Sequence, residues 1–173
     1  MIKIDSNTEL RKLQISDAEL LAKHADNYNI WINLADSFPH PYLIADAEHF
    51  IMHTRNLQSE FNLGICYNNE CIGVIGVVFN NGINCKTADF GYWLSELYWN
   101  KGIMQKSVKA FTWHIFNNYP IIRIQASVFN FNKASAKVLT NCGFNLEGIA
   151  KKSALKNNVI VDEFKFALIK PDA

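Results

Sequence analysis

The stretch YWNKGIMQKSVKAF, Tyr98 to Phe111, sets a polar loop with a single glycine, Gly102, directly ahead of an amphipathic helical pattern. Met104, Val108, Phe111 and Ile115 recur at helical spacing and form one apolar stripe. The first amides of a helix have no intrahelical partner and point along the positive end of the helix dipole, which makes them an anion site. Gly102 lets the backbone approach a ligand closely, and Lys101 and Lys106 add positive charge. A pyrophosphate suits such a cradle. The plainer alternative is a strand-to-helix connection punctuated by a glycine. Neither Gly-x-Gly-x-x-Gly nor Gly-Lys-Ser/Thr occurs, which argues against a Rossmann or Walker phosphate site.

Working outward, CKTADFGYWL reads as the strand that feeds this loop, rich in residues that suit a pleated surface. Ahead of it, FNLGICY and ECIGVIGVVF flank Asn68-Asn69, a hairpin turn that exploits the tolerance of Asn for positive φ. NNGIN marks a second turn. LRKLQI reads as a first strand. SDAELLAKHADNYNIWI reads as a helix with Ser16 and Glu19 as a capping box, and DAEHFIMHTRNLQ as a second helix capped by Asp46. Beyond Pro120, IIRIQASVF is a strand, NKASAKVLTNCGF a short helix closed by Gly143, and NVIVDEFKFALI a last strand after Asn157-Asn158. The order predicts an α+β, or mixed α/β, domain around a largely antiparallel sheet.

The chain has 173 residues, read as a single domain over 1–173, with 49% hydrophobic residues and a net charge of +1. That balance argues against a nucleic-acid partner. No apolar run reaches the roughly 18 to 20 residues a membrane span needs. The N-terminal MIKIDSNTELRKLQ has no apolar signal core, so a cytoplasmic location without a membrane partner is expected. Cys66, Cys71, Cys85 and Cys142 form no Cys-x-x-Cys pair and are expected as buried, reduced thiols. His49 and His53 are four apart on a helix but have no evident third ligand, so no metal is expected.

Downstream, FNFNKASAKVLTNCGFNLEG sets Asn132 at a helix start with Ser135 three residues on. On local grounds Asn132 is an N-cap and Ser135 satisfies first-turn backbone groups. Taken together, GYWL, WNKGIM, NKAS, CGFNLEG and NNVIVDEFKFAL, in that order, resemble the GCN5-related N-acetyltransferase (GNAT) family, in its ribosomal-protein N-terminal acetyltransferase (RimJ/RimL-like) branch. The resemblance covers nearly the whole chain. It implies a twisted sheet splayed between two parallel strands, here ADFGYWL and IIRIQASVF, with acetyl-CoA in the opening and coenzyme A as product. By the same resemblance the pantetheine pairs near Trp93 and Leu94. The pyrophosphate meets the segment Trp99, Asn100, Lys101, Gly102, Ile103, Met104, Gln105 and Lys106, with Asn132 and Ser135 on the other side. The family loop has Arg or Gln where Trp99 stands and a small residue where Met104 stands.

The chemistry implied is direct attack of a neutral amine in a ternary complex. Ser135 is the candidate donor to the leaving sulfur, and an amide near Leu94 the candidate oxyanion donor. Asp89 and Glu96 flank the FGYWL strand and are candidate bases. Asp162 shares an otherwise apolar face with Ile160, Phe164, Phe166 and Leu168, so it should be paired or line a cavity. A glutamate that some relatives carry after the LEG motif falls here at Ala154. Trp31, Phe38 and Tyr42 lie where the family builds its acceptor wall; core packing is their alternative. The expected acceptor is a protein or peptide N-terminal α-amine. A small amine (polyamine, amino sugar or amino-acid derivative) and a non-catalytic acyl-CoA-binding module are the alternatives, and an uncovered sheet edge is compatible with a homodimer.

Overall fold

The structure is a computed structural model that describes residues 1–56 and 58–171. One eight-stranded sheet runs through it. In chain order the elements are β1 (Ile2–Lys3), β2 (Thr8–Arg11), α1 (Ala18–Ala25), α2 (Tyr28–Trp31), α3 (Ile44–Asn56), β3 (Glu60–Tyr67), β4 (Glu70–Phe79), β5 (Thr87–Leu94), α4 (Ile103–Asn118), β6 (Arg123–Phe129), α5 (Lys133–Asn141), β7 (Asn145–Lys156) and β8 (Val159–Ile169). The strand order is β1-β2-β3-β4-β5-β6-β8-β7. Every pairing is antiparallel except β5 with β6. The mixed α/β reading with a mostly antiparallel sheet therefore stands.

Local chemistry explains most boundaries. Asn68 and Asn69 both have positive φ between β3 and β4, as do Asn157 and Asn158 between β7 and β8, so both hairpins turn on left-handed asparagines. Gly143 closes α5 at φ +91°. Met104, Val108, Phe111 and Ile115 are all buried, and α4 lays that stripe on Ile75, Val77, Phe90 and Ile124 of the sheet. A second cluster, including Leu21, Ala25, Tyr42, Ile51 and Val74, packs α1 and α3 on the opposite face.

The N-terminal third departs from expectation. The strand expected at Leu10–Ile15 is β2, which runs earlier, Thr8–Arg11, and a short β1 precedes it. The chain leaves the sheet after Arg11 because the Asp17 carboxylate accepts from the Arg11 guanidinium at 2.7 and 2.8 Å and from the Gln14 amide at 2.7 Å. Asp17 thus does the work expected of the Ser16–Glu19 box, three residues after Gln14. The expected first helix is two, because Asn27 stops α1 and caps α2, its side chain accepting from the amides of Asn29 and Ile30. Asp46 lies inside α3 and reaches back to the Leu43 amide at 2.8 Å, so it is the return arm of a cap rather than the cap. That helix, expected to run to Gln58, ends at Asn56; Gln58 lies in a turn, and Leu57 is outside the described residues. Of the cysteines, Cys66 and Cys71 are buried, Cys142 is half-buried and Cys85 is exposed; all four are free thiols.

Gly73 pairs with Leu94, and a Cβ on it would press into the Trp93 carbonyl oxygen and lie 3.0 Å from Leu94 Cα. The contact is backbone, so relief requires β4 and β5 to part. Gly73→Ala is expected to lower unfolding stability by about 1 to 3 kcal/mol, read by urea denaturation.

Candidate active site

The parallel seam is short. Thr87, Ala88 and Asp89 pair with Arg123, Ile124 and Gln125, and from there β5 and β6 diverge. The sheet becomes a V with β1–β5 as one arm and β6, β8 and β7 as the other. At the base, the Gln125 amide donates to Asp89 at 2.8 Å and accepts from Arg123 Nε at 3.2 Å.

Alternation decides what lines the opening. Ser95 donates to the Ile72 carbonyl, so in the antiparallel β4–β5 ladder the odd-numbered residues of β5 bond toward β4. The amides of Tyr92 and Leu94 therefore turn toward the space that β6 has left. The Leu94 carbonyl on that edge is taken by the Trp99 indole N–H at 2.8 Å. This bond ties the following loop back to the end of β5.

That loop carries two left-handed residues, Asn100 at φ +60° and Gly102 at φ +74°. After the loop, the Lys106 amide donates to the Gly102 carbonyl at 3.2 Å and opens the helical ladder. The amides of Ile103, Met104 and Gln105 precede it and form the orphan set of the α4 N-terminus. The side chains of Ile103 and Met104 are buried in the core, so this segment offers its backbone and not its side chains to a ligand. Lys101 lies 5.0 Å above the Tyr98 ring. Lys106 pairs with Asp5 at 2.8 Å, a contact with the β1–β2 turn that holds the Asp5 carboxyl well below the usual carboxylate range. Gln105 accepts at its carbonyl from the Cys142 thiol at 3.4 Å, joining α4 to α5.

On the face covered by α4 and α5, a polar contact spans the V. The Tyr92 hydroxyl lies 2.9 Å from Ser135 Oγ and 3.3 Å from the Ser135 carbonyl oxygen. Burial raises the Tyr92 phenol above its ordinary value, more than the Ser135 bond lowers it, so the hydroxyl keeps its proton. Asn132 holds Ser135 in place, its side chain accepting from the Ser135 amide at 3.0 Å. Asn132 is thus an N-cap at a site where the capped turn also presents a hydroxyl. Tyr92 was not among the residues singled out in the sequence. Its signal was its place one residue from Trp93 in the strand, on the face opposite Asp89.

The opposite face has different chemistry. Asp89, Gly91 and Trp93 line a cavity of about 270 Å³ with Phe38, Tyr42 and Leu34, so two of the three expected wall residues come to it. A wider groove of about 550 Å³ shares Ser37, Phe38, Tyr42 and Phe50 with it and continues past Asp46, His49, His53 and Glu60. Trp31 stands apart from both. Its ring lies against His40 and Tyr28, with the Lys156 ammonium 3.9 Å from its centroid.

Two expected bases are occupied elsewhere. Glu96 accepts from the side chains of Asn29 at 3.0 Å and Asn27 at 2.8 Å, and these amides hold its pKa below the ordinary value. It fastens α2 to the end of β5. Asp162 accepts from Lys151 Nζ at 2.9 Å and the Lys152 amide at 2.8 Å, which lower its pKa, and it pins a bulge in β7 where Lys152 has φ +51°. Asp162 shares the face of Phe164 and Phe166, against α5. Its neighbour Glu163 has the opposite parity and faces the Asp89 side. Glu163 accepts from Ser153 Oγ at 2.8 Å and Lys165 Nζ at 3.0 Å, and Lys165 also donates to Ser127. Burial pushes the Glu163 carboxyl up, but Ser153 and Lys165 outweigh it and leave it lowered. Reading Asp162 by its apolar neighbours overlooked this carboxylate one residue away.

With this geometry in view, comparison with known proteins is informative. Residues 7–145 match the family described as "Acetyltransferase (GNAT) domain". A probable N-acetyltransferase, YjcK, of Bacillus subtilis is 37% identical over a stretch covering 50% of this chain and 48% of that protein, so the match spans about half of each. A ribosomal-protein-serine acetyltransferase of Escherichia coli is 26% identical over 97% of this chain and 96% of its own. Among solved structures, RimL, a ribosomal L7/L12 α-N-protein acetyltransferase in complex with coenzyme A, superposes with a TM-score of 0.87 at 24% identity, covering 99% of each chain. The last likeness is one of fold.

A Cβ on Gly102 meets nothing within 4 Å, so its positive φ, not crowding, selects glycine there. Gly102→Ala is expected to cost about 1 to 2 kcal/mol, and Gly102→Asn less, since Asn visits the left-handed region. Equilibrium denaturation of the two variants reads the difference.

Proposed function

The chain belongs to the GNAT acetyltransferase family, and on that premise we propose that it transfers the acetyl group of acetyl-CoA to the N-terminal α-amine of a protein or peptide. One observation carries the reading: the parallel seam ends after Asp89 and Gln125, and the orphan amides of Ile103 to Gln105 stand at the open end of the same V. The fit with the donor is physical. The outward amides of Tyr92 and Leu94 suit the amide groups of a pantetheine arm, and the α4 N-terminus with Gly102 suits a pyrophosphate. The donor supplies an activated acyl group; the chain supplies position, hydrogen bonds and proton transfer.

In the proposed step the amine nitrogen bonds to the acetyl carbon and the carbon–sulfur bond breaks. A β5 amide facing the opening donates to the carbonyl oxygen as charge develops on it. Ser135 Oγ donates a hydrogen bond to the departing sulfur, which leaves as the coenzyme thiolate, and the Tyr92 hydroxyl, 2.9 Å away and protonated, orients the Ser135 hydroxyl. The amine proton leaves toward the opposite face, where the Asp89 carboxylate lines the cavity. Trp93, Phe38 and Tyr42 shape the acceptor's approach.

An extended acceptor is favoured because the inner cavity opens into the larger groove through shared residues. The alignment with the ribosomal-protein-serine acetyltransferase along nearly its full length supports a protein terminus. Asp46 and Glu60 in the outer groove favour a second reading, a cationic polyamine.

Calorimetric titration with acetyl-CoA, with NADH as control, tests the donor; selective micromolar binding is expected, and no binding to folded protein overturns the proposal. Ser135→Ala is expected to lower kcat by roughly tenfold to a thousandfold with acetyl-CoA affinity unchanged. Tyr92→Phe should give a smaller loss in the same parameter. The pH profile separates the acceptors, because only the neutral amine attacks. For an α-amine, kcat/KM should rise with pH and level off near about 8, whereas for a lysine-like or polyamine nitrogen it should keep rising toward about 10.

A further inference from the structure

The β3–β4 hairpin carries two thiols that the proposed reaction does not use. Asn68 and Asn69, both left-handed, form its two-residue turn, and Tyr67 and Glu70 close it. Cys66 and Cys71 are the next pair and stand directly opposite one another. In such a hairpin the closing pair is hydrogen-bonded, so the next pair is not, and its Cα atoms lie about 4.5 Å apart. A disulfide needs Cα atoms roughly 4.4 to 6.8 Å apart. Both cysteines are buried on the face covered by α1 and α3.

The two sulfurs converge. Cys66 Sγ lies 4.0 Å from the Gly64 carbonyl oxygen, and a Cβ on Gly64 would sit 2.7 Å from Cys71 Sγ. Gly64 thus leaves the space into which both thiols lean. Each thiol displaces the other's ionisation. The Cys71 thiol, with the Arg11 guanidinium, lowers Cys66 against the effect of burial, whereas Cys66 and burial together push Cys71 up. Cys66 is therefore the first nucleophile of the pair. The hairpin end is also a junction. Glu70, next to Cys71, lies 2.8 Å from His24 Nε2 of α1 and accepts from the hydroxyl of Tyr98, which stands ahead of α4. The Asn68 amide donates to the Asn7 carbonyl at 2.8 Å, and the Ile72 carbonyl accepts from the Ser95 amide at 2.8 Å. A covalent tie between Cys66 and Cys71 stiffens the point from which α1, the β1–β2 turn and the loop ahead of α4 all hang.

We propose that Cys66 and Cys71 are an oxidative modification site: a hydroperoxide converts the opposed thiols to a reversible disulfide that locks the hairpin end without opening the core. This goes beyond acetyl transfer and does not rest on it. In the first step Cys66 gives up its proton and its sulfur attacks one peroxide oxygen. The O–O bond breaks, and the departing oxygen takes the proton and leaves as an alcohol or water. The Cys71 sulfur then attacks the sulfur of the Cys66 sulfenic acid. The S–O bond breaks, and the hydroxide leaves as water with the Cys71 proton. Two electrons pass from the thiols to the peroxide, and a dithiol reductant returns them by exchange. A peroxide suits the site because it is small. The pair lies next to the residues that close a surface turn, so fraying of the hairpin end admits the oxidant.

The test uses the full chain with Cys85→Ser and Cys142→Ser, which retains only this pair of thiols. The folded protein is treated with hydrogen peroxide, then denatured with a thiol-blocking reagent and weighed. The expected mass is lower by two hydrogen atoms with no blocked thiol, and dithiothreitol restores both thiols. Cleavage after Glu70, which separates the cysteines, should leave two pieces joined until they are reduced. The oxidised form should melt higher by roughly 4 to 8 °C, the size of effect that closing a short loop gives in a chain of this length. The decisive comparison is between the oxidised and reduced forms of one sequence, so it does not depend on a core substitution. Adding Cys66→Ala, where that variant folds, should abolish both the mass loss and the rise in Tm. Two blockable thiols that survive a peroxide dose sufficient to oxidise Cys85 in the wild type overturn the proposal. So does a disulfide that forms only in denaturant or only between molecules, or an oxidised form that melts lower.

Discussion

The parallel pairing of β5 and β6 for three residues and no more is the constraint on which the rest depends. A sheet that stayed closed would bury its backbone groups in ladder bonds and leave no opening. Divergence after Asp89 and Gln125 frees one edge of β5. The strand, the loop and the helix that follow can then serve a single ligand from successive backbone amides. Gly73, close against Trp93 and Leu94 from the β4 side, and Trp99, bonded to the Leu94 carbonyl, hold that edge from both ends.

The two faces of the opening have separate tasks. The α4 and α5 face is polar only at a few points, where the half-buried hydroxyls of Tyr92 and Ser135 meet. The opposite face carries aromatic rings and ionisable groups, which suits the proposed approach of an amine and departure of its proton. The contacts that join the arms are side-chain contacts between residues far apart in sequence. The cleft can therefore keep its width without a continuous ladder across it. Glu96, at the junction, connects the two tasks: its carboxylate is used by Asn27 and Asn29 to hold the acceptor-side helix to the loop that precedes α4.

Local chemistry made much of the molecule legible in advance. Asparagine pairs announced the β3–β4 hairpin and the turn before β8, the Met104–Ile115 stripe announced the buried face of α4, and Asn132 and Gly143 announced both ends of α5. Where several polar residues stood close together, sequence spacing alone did not show which partners each would meet. Ser16 yielded to Asp17 because the latter also meets Arg11 from the neighbouring strand. Asp162 drew attention over Glu163 because its apolar neighbours were visible, whereas the register that turns Glu163 toward Asp89 was not.

The sequence by itself determined most of the elements, their order and the loop with its orphan amides, because caps, turns and amphipathic stripes are set by residues a few positions apart. It also carried the family resemblance in the order of GYWL, WNKGIM and NKAS. Only the tertiary structure decided which groups meet across the cleft. Tyr92 with Ser135, and Lys156 with Trp31 and Asp36, are joined by the divergence of two strands and the length of a hairpin. Such distances depend on the register and twist of the whole sheet, and no local pattern encodes them.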